Sequence, residues 1–164
     1  PKNVGAVPYY YNHKMKSAGT PIARHFGSRY PFGCGQSYTT FEYADPRLDA
    51  AEVDTAGEIR LRFTVRNAGA RRGVAVPQLY ARDLLASVVR PVKELKAFAR
   101  VDLLPGEQAT VAMTVPADVL SFTGLENRRI VEPGEIELQL GASSADIRLR
   151  AGCNALTNHI TAVN

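Results

Sequence analysis

The sequence predicts an all-β fold, a β-sandwich preceded by an extended N-terminal arm, and three observations carry that expectation. First, apolar residues recur with period two. In EIRLRFTV, Ile59, Leu61, Phe63 and Val65 take one face while Arg60, Arg62, Thr64 and Arg66 take the other, the signature of a strand buried on one side. Second, turn chemistry interrupts the apolar rows every ~8–12 residues, giving about seven short strands. Third, residues 1–37 sustain neither a helical nor a strand period. At 164 residues and 45% hydrophobic, the chain suits one domain with a sizeable core plus an extension.

The elements follow in order. The stretch RYPFGCGQSYTTFEY opens as a tight turn, with Pro31, Gly33 and Gly35 among aromatics. It continues as a strand in which Tyr38 to Tyr43 alternate aromatic with Thr or Glu. The strand of Ile59 to Val65 ends at Asn67-Ala-Gly and Arg71-Arg-Gly. Val74 to Asp83 is the next strand, with Val74, Val76 and Tyr80 on one row and Ala75, Pro77 and Leu79 on the other. A strand apolar on both sides is central, or covered by something outside its own sheet. Pro77 has no N–H for a ladder and marks an edge or a bulge.

Leu95 to Leu103 is predicted as one strand, closed by the turn Leu104-Pro-Gly-Glu. QATVAMTV places Val111, Met113 and Val115 inward, and Pro116 ends it. Val119 to Phe122 reads as a strand or a single helical turn. After the turn at Val131-Glu-Pro-Gly-Glu, Ile136, Leu138 and Leu140 alternate with Glu137 and Gln139. IRL closes the sandwich with Ile147 and Leu149 inward. The expected single core holds Ile59, Leu61, Phe63, Val65, Val111, Val115, Ile136, Leu138, Leu140, Ile147 and Leu149. The sequence has no Trp and no inter-sheet cysteine pair is expected, which argues against an antibody-type domain; a fibronectin type III-like sandwich, with its immunoglobulin-like layout, needs neither. The expected divisions are an arm over 1–28, the sandwich over 29–153 and a tail over 154–164. The arm carries large aromatics without a core of its own, so it is expected to lie on another surface: the Val74–Ala81 face, an upstream domain or a neighbouring copy.

Candidate chemistry is sparse. Gly33-Cys-Gly35 is followed by Tyr38 and a strand, whereas a phosphate cradle needs a third glycine and a helix. His13, His25 and His159 share no metal-ligand spacing, and Cys34 and Cys153 are read as two free thiols. Glu132, Glu135 and Glu137 cluster by number, but at a turn and on a solvent-facing row, where acids keep a sheet soluble. Arg60, Arg62 and Arg66 form a basic row with no aromatic interleaving, read as a solvated face. The net charge of +4 falls short of a nucleic-acid footprint, and no run of about 18 apolar residues offers a membrane span. The N-terminal PKNVGAVPYYYNHK lacks both an initiator Met and the layout of a signal peptide, and reads as the interior of a longer chain. No cofactor or metal is expected, and no residue here is assigned a catalytic, cofactor-binding or metal-binding role.

Four segments resemble glycoside hydrolase family 3 in the same order. YPFGCGQSYTTFEY is similar to that family's YPFGxGLSYTxF, and RPVKELKAFARVDLLPGE to its RPVKxLxGFxxVxLxPGE. VEPGEIELQLGASSADIRL is similar to VxPGxFxVxVGxSSxDIRL, and VPYYYNHK to PVYYNHK. Cys34, Gln36 and Ala97 depart from the family's usual ring, Leu and Gly. The resemblance implies a (β/α)8 barrel with the nucleophilic Asp and an α/β domain with, in most members, the acid/base Glu, both upstream, followed by a fibronectin type III-like domain. It implies that this chain is the non-catalytic C-terminal part of a retaining exo-β-glycosidase, most simply a β-glucosidase. The role implied is to brace the catalytic domains and to edge the cleft or a dimer interface. The implied partners are the barrel and α/β domains of the same polypeptide, a β-linked glycoside through the parent enzyme, and a homodimer as an open alternative; neither nucleic acid nor membrane is implied. A periplasmic or secreted setting rests on the resemblance alone. The alternative reading is a free-standing carbohydrate-binding or protein-interaction module, which would need a platform of exposed aromatics.

Overall fold

In the computed structural model, residues 11–14 and 28–156 are described. Two sheets face each other across one core. The first has three strands in the order β1 (Phe41–Leu48), β3 (Glu58–Asn67) and β8 (Gln108–Pro116), all antiparallel. The second has five, in the order β2 (Glu52–Asp54), β12 (Ile147–Leu156), β11 (Gly134–Gly141), β5 (Gln78–Asp83) and β6 (Glu94–Phe98). Only β2 runs parallel to its neighbour. Two small ribbons complete the fold: β4 (Gly73–Ala75) with β7 (Val101–Leu103), and β9 (Phe122–Thr123) with β10 (Arg129–Ile130).

Period-two burial builds the core. Ile59, Leu61, Phe63 and Val65 of β3 meet Val111, Met113 and Val115 of β8, and Leu79, Ile136, Leu138, Leu140 and Cys153 close on them from the second sheet. The opposite face of β3 stays in solvent, where Arg60, Arg62 and Arg66 pair with Glu58, Asp49 and Glu42. Exposed pairs of this kind contribute little to stability, and the basic row is a solvated face as expected.

Several expectations are corrected. Val74 to Asp83 is two strands, because the chain leaves the β4–β7 ribbon and joins the large sheet across Val76-Pro77. Leu95 to Leu103 breaks in step, and Ala99 N–H donates to Pro77 O at 3.1 Å across the joint. Pro77 thus sits where no ladder donor is needed. Val74 and Val76 are exposed, so burial on both faces is confined to residues 78–81 of β5. Ile147 is only half-buried and lies outside the core cluster, whereas Leu149 packs against it. The ladder shifts register beside it: Gly141 pairs Ile147 but Leu140 pairs Leu149, leaving Arg148 extra. Gln139, expected on the solvent row, is buried between its cross-strand neighbours Tyr80 and Arg150. Asn154–Leu156 continue β12 in pairing with β2, so the strand runs past the expected end at 153. Val119 lies in a 3₁₀ turn, Ala117–Leu120, and Phe122 opens β9.

Phe63 is almost fully buried at the centre of this core. Phe63→Ala is expected to lower stability by about 3–5 kcal/mol, read as a shifted urea midpoint. A loss below about 1 kcal/mol would contradict the inward placement of Phe63. Ile147→Ala is expected to cause a clearly smaller loss, since Ile147 is only half-buried.

Candidate functional site

The feature of this molecule that is built for more than a core is the seam, residues 28–40, fastened across the outer face of β5. It starts with a turn. Cys34 N–H donates to Pro31 O at 3.1 Å, and Gly33 has φ +76°, the third position of a type II turn, which calls for glycine. An ideal Cβ there would stand 1.9 Å from Gln78 Oε1 and 2.7 Å from Tyr80 Oη, so the glycine also permits close approach.

Beneath it, β5 turns two polar groups outward into a buried setting. Gln78 Nε2 donates to Gly33 O and to Ala142 O, both at 2.9 Å. Tyr80 Oη donates to Gln78 Oε1 and lies 3.4 Å from Phe32 O. Ser144 N–H donates to Phe32 O at 2.9 Å. Lys93 Nζ donates to Ser144 O at 2.9 Å and lies 5.9 Å from the Tyr80 ring centroid. Three loops therefore converge on one glutamine and one tyrosine, which satisfies polar groups that would otherwise destabilise a buried face. Burial, and then the neighbouring Tyr11, push the Tyr80 phenol up to about 12. Burial, and then repulsion from Arg150, lower the Lys93 ammonium from its usual range.

The seam has a second fastening. Asn67, fully buried, accepts from Thr39 Oγ1 at 2.6 Å and from Gly69 N–H at 3.1 Å. Its Nδ2 donates to Arg71 O at 2.7 Å and Leu103 O at 3.1 Å. A Cβ on Gly69 or Gly73 would meet the Thr39 side chain at 2.2 or 2.5 Å.

Of the arm over 1–28, the described stretch Tyr11–Lys14 rests on this sandwich. Lys14 pairs with Pro91, Val92 N–H donates to His13 O at 3.1 Å, and Leu95 N–H donates to Tyr11 Oη at 2.7 Å. The Tyr11 and Phe32 rings are 4.2 Å apart. Among the three expected seats, this one adjoins Tyr80 at the edge of the Val74–Ala81 face. Tyr11, Tyr30, Phe32, Tyr80, Val92 and Lys93 border a recess of about 460 Å³ between arm, seam and sheet. On the outward side, Tyr30 and Tyr38 are 68% and 93% exposed.

The other sequence candidates are dispersed. Glu132 accepts from the Ser87 backbone at 2.9 Å and from the Ser87 hydroxyl. Glu135 is exposed. Glu137 accepts from Gln139 and Arg150; these bonds outweigh burial, the largest single influence, and hold its carboxyl below the usual range. Cys34 is exposed and Cys153 buried, both free. Among the described residues no group of three or more His, Cys, Asp and Glu could hold a metal; His25 and His159 lie outside the described residues. Sequence reading missed Gln78, Tyr80 and Lys93. The one signal was Gln78 itself, a polar residue inside an apolar run.

Comparison with known proteins agrees with this geometry. A model of the fibronectin type III-like domain matches residues 75–144. A putative β-xylosidase of Formosa agariphila is 36% identical over 149 residues, covering 90% of this chain and 20% of the relative. A periplasmic β-glucosidase of Salmonella typhimurium is 35% identical over 161 residues, covering 90% and 21%. A crystal structure of a β-glucosidase from Listeria innocua in complex with glucose superposes with a TM-score of 0.81 at 32% identity, covering 92% of this chain and 22% of that one. The chain thus spans about a fifth of the length of the relatives it matches.

Two outcomes follow for the seam. Gly33→Ala is expected to destabilise by about 1–3 kcal/mol through backbone strain and the clash with Gln78. Tyr80→Phe is expected to lose about 0.5–1.5 kcal/mol, both read by chemical denaturation. The Tyr80 phenol ionises higher in the folded state than its ordinary 10.0. Its contribution is therefore whole below pH 10 and lost as pH rises towards about 12. A tyrosinate absorbance titration should show this late step in the native chain and lack it in Tyr80→Phe.

Proposed function

The chain is the fibronectin type III-like part of a glycoside hydrolase family 3 protein of the β-glucosidase and β-xylosidase type, and from that premise we propose that it is a non-catalytic buttress. It would dock on the upstream domains of its own polypeptide and hold them in register. The proposed parent is a retaining exo-β-glycosidase acting on a β-linked glycoside, most simply a β-glucosidase. The folded unit we assign is the sandwich from residue 29, with the arm over 1–28 leading in from the preceding domain.

One observation carries this reading: segments whose backbone is fastened to the sandwich nevertheless turn large apolar side chains outward. On the seam these are Tyr30, Phe32 and Tyr38. On the loop after β5 they are Leu85, 87% exposed, and Val89. That loop is not loose. Leu84 N–H reaches Glu135 O at 3.4 Å, and Ser87 is held at both its N–H and hydroxyl by Glu132. Rigidly presented apolar side chains suit a partner surface. The catalytic pair of a retaining mechanism is two carboxyl groups about 5–5.5 Å apart across a cleft. Here Glu132 and Glu137 are occupied in bonds of the sheet and its loops, which supports placing the chemistry upstream.

Two experiments test the proposal. The pure chain should not hydrolyse an aryl β-glucoside above blank, and should not be retained on cellulose or xylan. Turnover abolished by changing Glu132 or Glu135, or clear glycan retention, would overturn the buttress reading. In the full-length parent, Leu85→Ser with Val89→Ser should lower the melting temperature or activity. The same pair should change the isolated chain by no more than about 0.5 kcal/mol each. A parent indifferent to both changes would remove this loop from the docking surface.

A further inference from the structure

Four charged side chains meet where β5 leaves the large sheet. Asp83 ends β5, Arg90 closes the following loop, and Glu94 and Lys96 stand on β6. All four side chains are largely buried. Arg90 Nη2 donates to Glu94 Oε2 at 3.0 Å and to Leu120 O at 3.2 Å, and its guanidinium carbon lies 4.4 Å from the Phe122 ring centroid. Lys96 Nζ donates to Val119 O at 2.6 Å and stands 3.6 Å from Glu94 Oε2. The two cations thereby hold the end of the 3₁₀ turn Ala117–Leu120, whose last carbonyls have no partner within the turn.

One donor in this cluster is unmatched. Arg90 Nε is buried with no protein acceptor in bonding range. Asp83 Oδ2 stands 4.0 Å from it, beyond hydrogen-bonding distance. A cavity of about 10 Å³ lies among Ala81, Asp83, Arg90, Glu94, Lys96 and Leu120.

We propose that this cavity is a single-water site, in which one buried water accepts from Arg90 Nε–H and donates to Asp83 Oδ2. Three independent features converge on that occupant. The volume is close to one water-sized sphere, about the least that holds a water and too little for any organic ligand. The lining is electrically balanced, with two carboxylates against a guanidinium and an ammonium, so a neutral occupant fits and an ion would upset the balance. The gap is right: legs of about 2.8–2.9 Å across it meet at an angle of about 90° at the water oxygen, which hydrogen-bond geometry accommodates. Asp83 also accepts from the Leu85 backbone, and burial followed by the pull of Arg90 are the leading influences on its carboxyl, which is raised from its ordinary value. A bridging water gives that carboxyl a further donor. It joins the end of β5 to the far end of the loop carrying Leu85 and Val89, and so helps fix the loop from both sides.

The test is a high-resolution crystal structure of the chain together with its Asp83→Asn variant. The expected result is an ordered water within about 3.2 Å of both Arg90 Nε and the residue-83 side-chain oxygen in each, since the carboxamide oxygen still accepts. A direct Arg90–Asp83 contact with the water excluded, or a cavity without density, would overturn the site. Loss of the water in Asp83→Asn would also overturn the bridge. In solution, the Arg90 Nε–H resonance should show cross-relaxation to water with the sign of a long-lived complex. A signal showing only rapidly exchanging solvent would count against the proposal even if a variant failed to crystallise.

Discussion

The burial of β5 on both its faces is the constraint from which the rest of the molecule's outer architecture follows. Leu79 faces the core between the sheets and Tyr80 faces away from it, and both are 0% exposed. The inner face needs only apolar partners. The outer face carries Gln78 and Tyr80, and polar groups taken from water must find partners or destabilise the fold. The seam, the Pro91–Lys93 approach to β6 and the Ala142–Ser144 turn supply those partners. The seam is therefore part of the sandwich in a physical sense, since its carbonyls complete the hydrogen bonding of β5.

The N-terminal segment is keyed in the same way at two places. At each, a buried carboxamide bonds to the segment, and a glycine leaves room for close approach. Gln78 receives the turn at Gly33, and Asn67 receives Thr39 opposite Gly69 and Gly73. A carboxamide has both donors and acceptors at fixed angles, so it accepts one orientation of the incoming chain. Apolar contact alone would hold the segment but would tolerate sliding. This distinction matters for a docking element, because Tyr30 and Tyr38 are aimed by the backbone that carries them.

The strands with one wet face were legible in the sequence because burial there has period two and nothing else competes. Ile59 to Val65 and Val111 to Val115 fall as their alternation implies. The reading failed where tertiary structure overrode the period. Gln139 looks like a solvent residue by alternation, yet it is roofed because its neighbour Tyr80 is roofed. Ile147 looks inward, but it stands beside the register shift at the end of the ladder and is only half-buried. The sheet switch at Pro77 was half visible, since proline announces an interruption but not its destination. The polar clusters were invisible for a different reason. Lys93 and Ser144 are 51 positions apart, and no periodicity within either segment reports that the fold joins them. The family resemblance marked both segments as belonging together without saying what bonds them.

Among the described residues, buried polarity is concentrated at the joints between segments, apart from the apolar cluster between the sheets. The inter-sheet cluster is apolar, with Phe63 and Leu79 at its centre. The carboxamides and buried charges sit where loops must be held in one arrangement: the seam, the loop after β5 and the 3₁₀ turn. Ion pairs and amides in such places add little net stability against apolar substitutes of similar shape, since desolvation offsets most of their attraction. Their advantage is that a misplaced loop leaves charges or amides unsatisfied and is penalised steeply. A domain whose task is to present fixed edges to a larger neighbour benefits from that penalty more than from additional core. The division of labour follows from the physics: apolar residues hold the two sheets together, while amides, charges and glycines determine where their connecting segments lie.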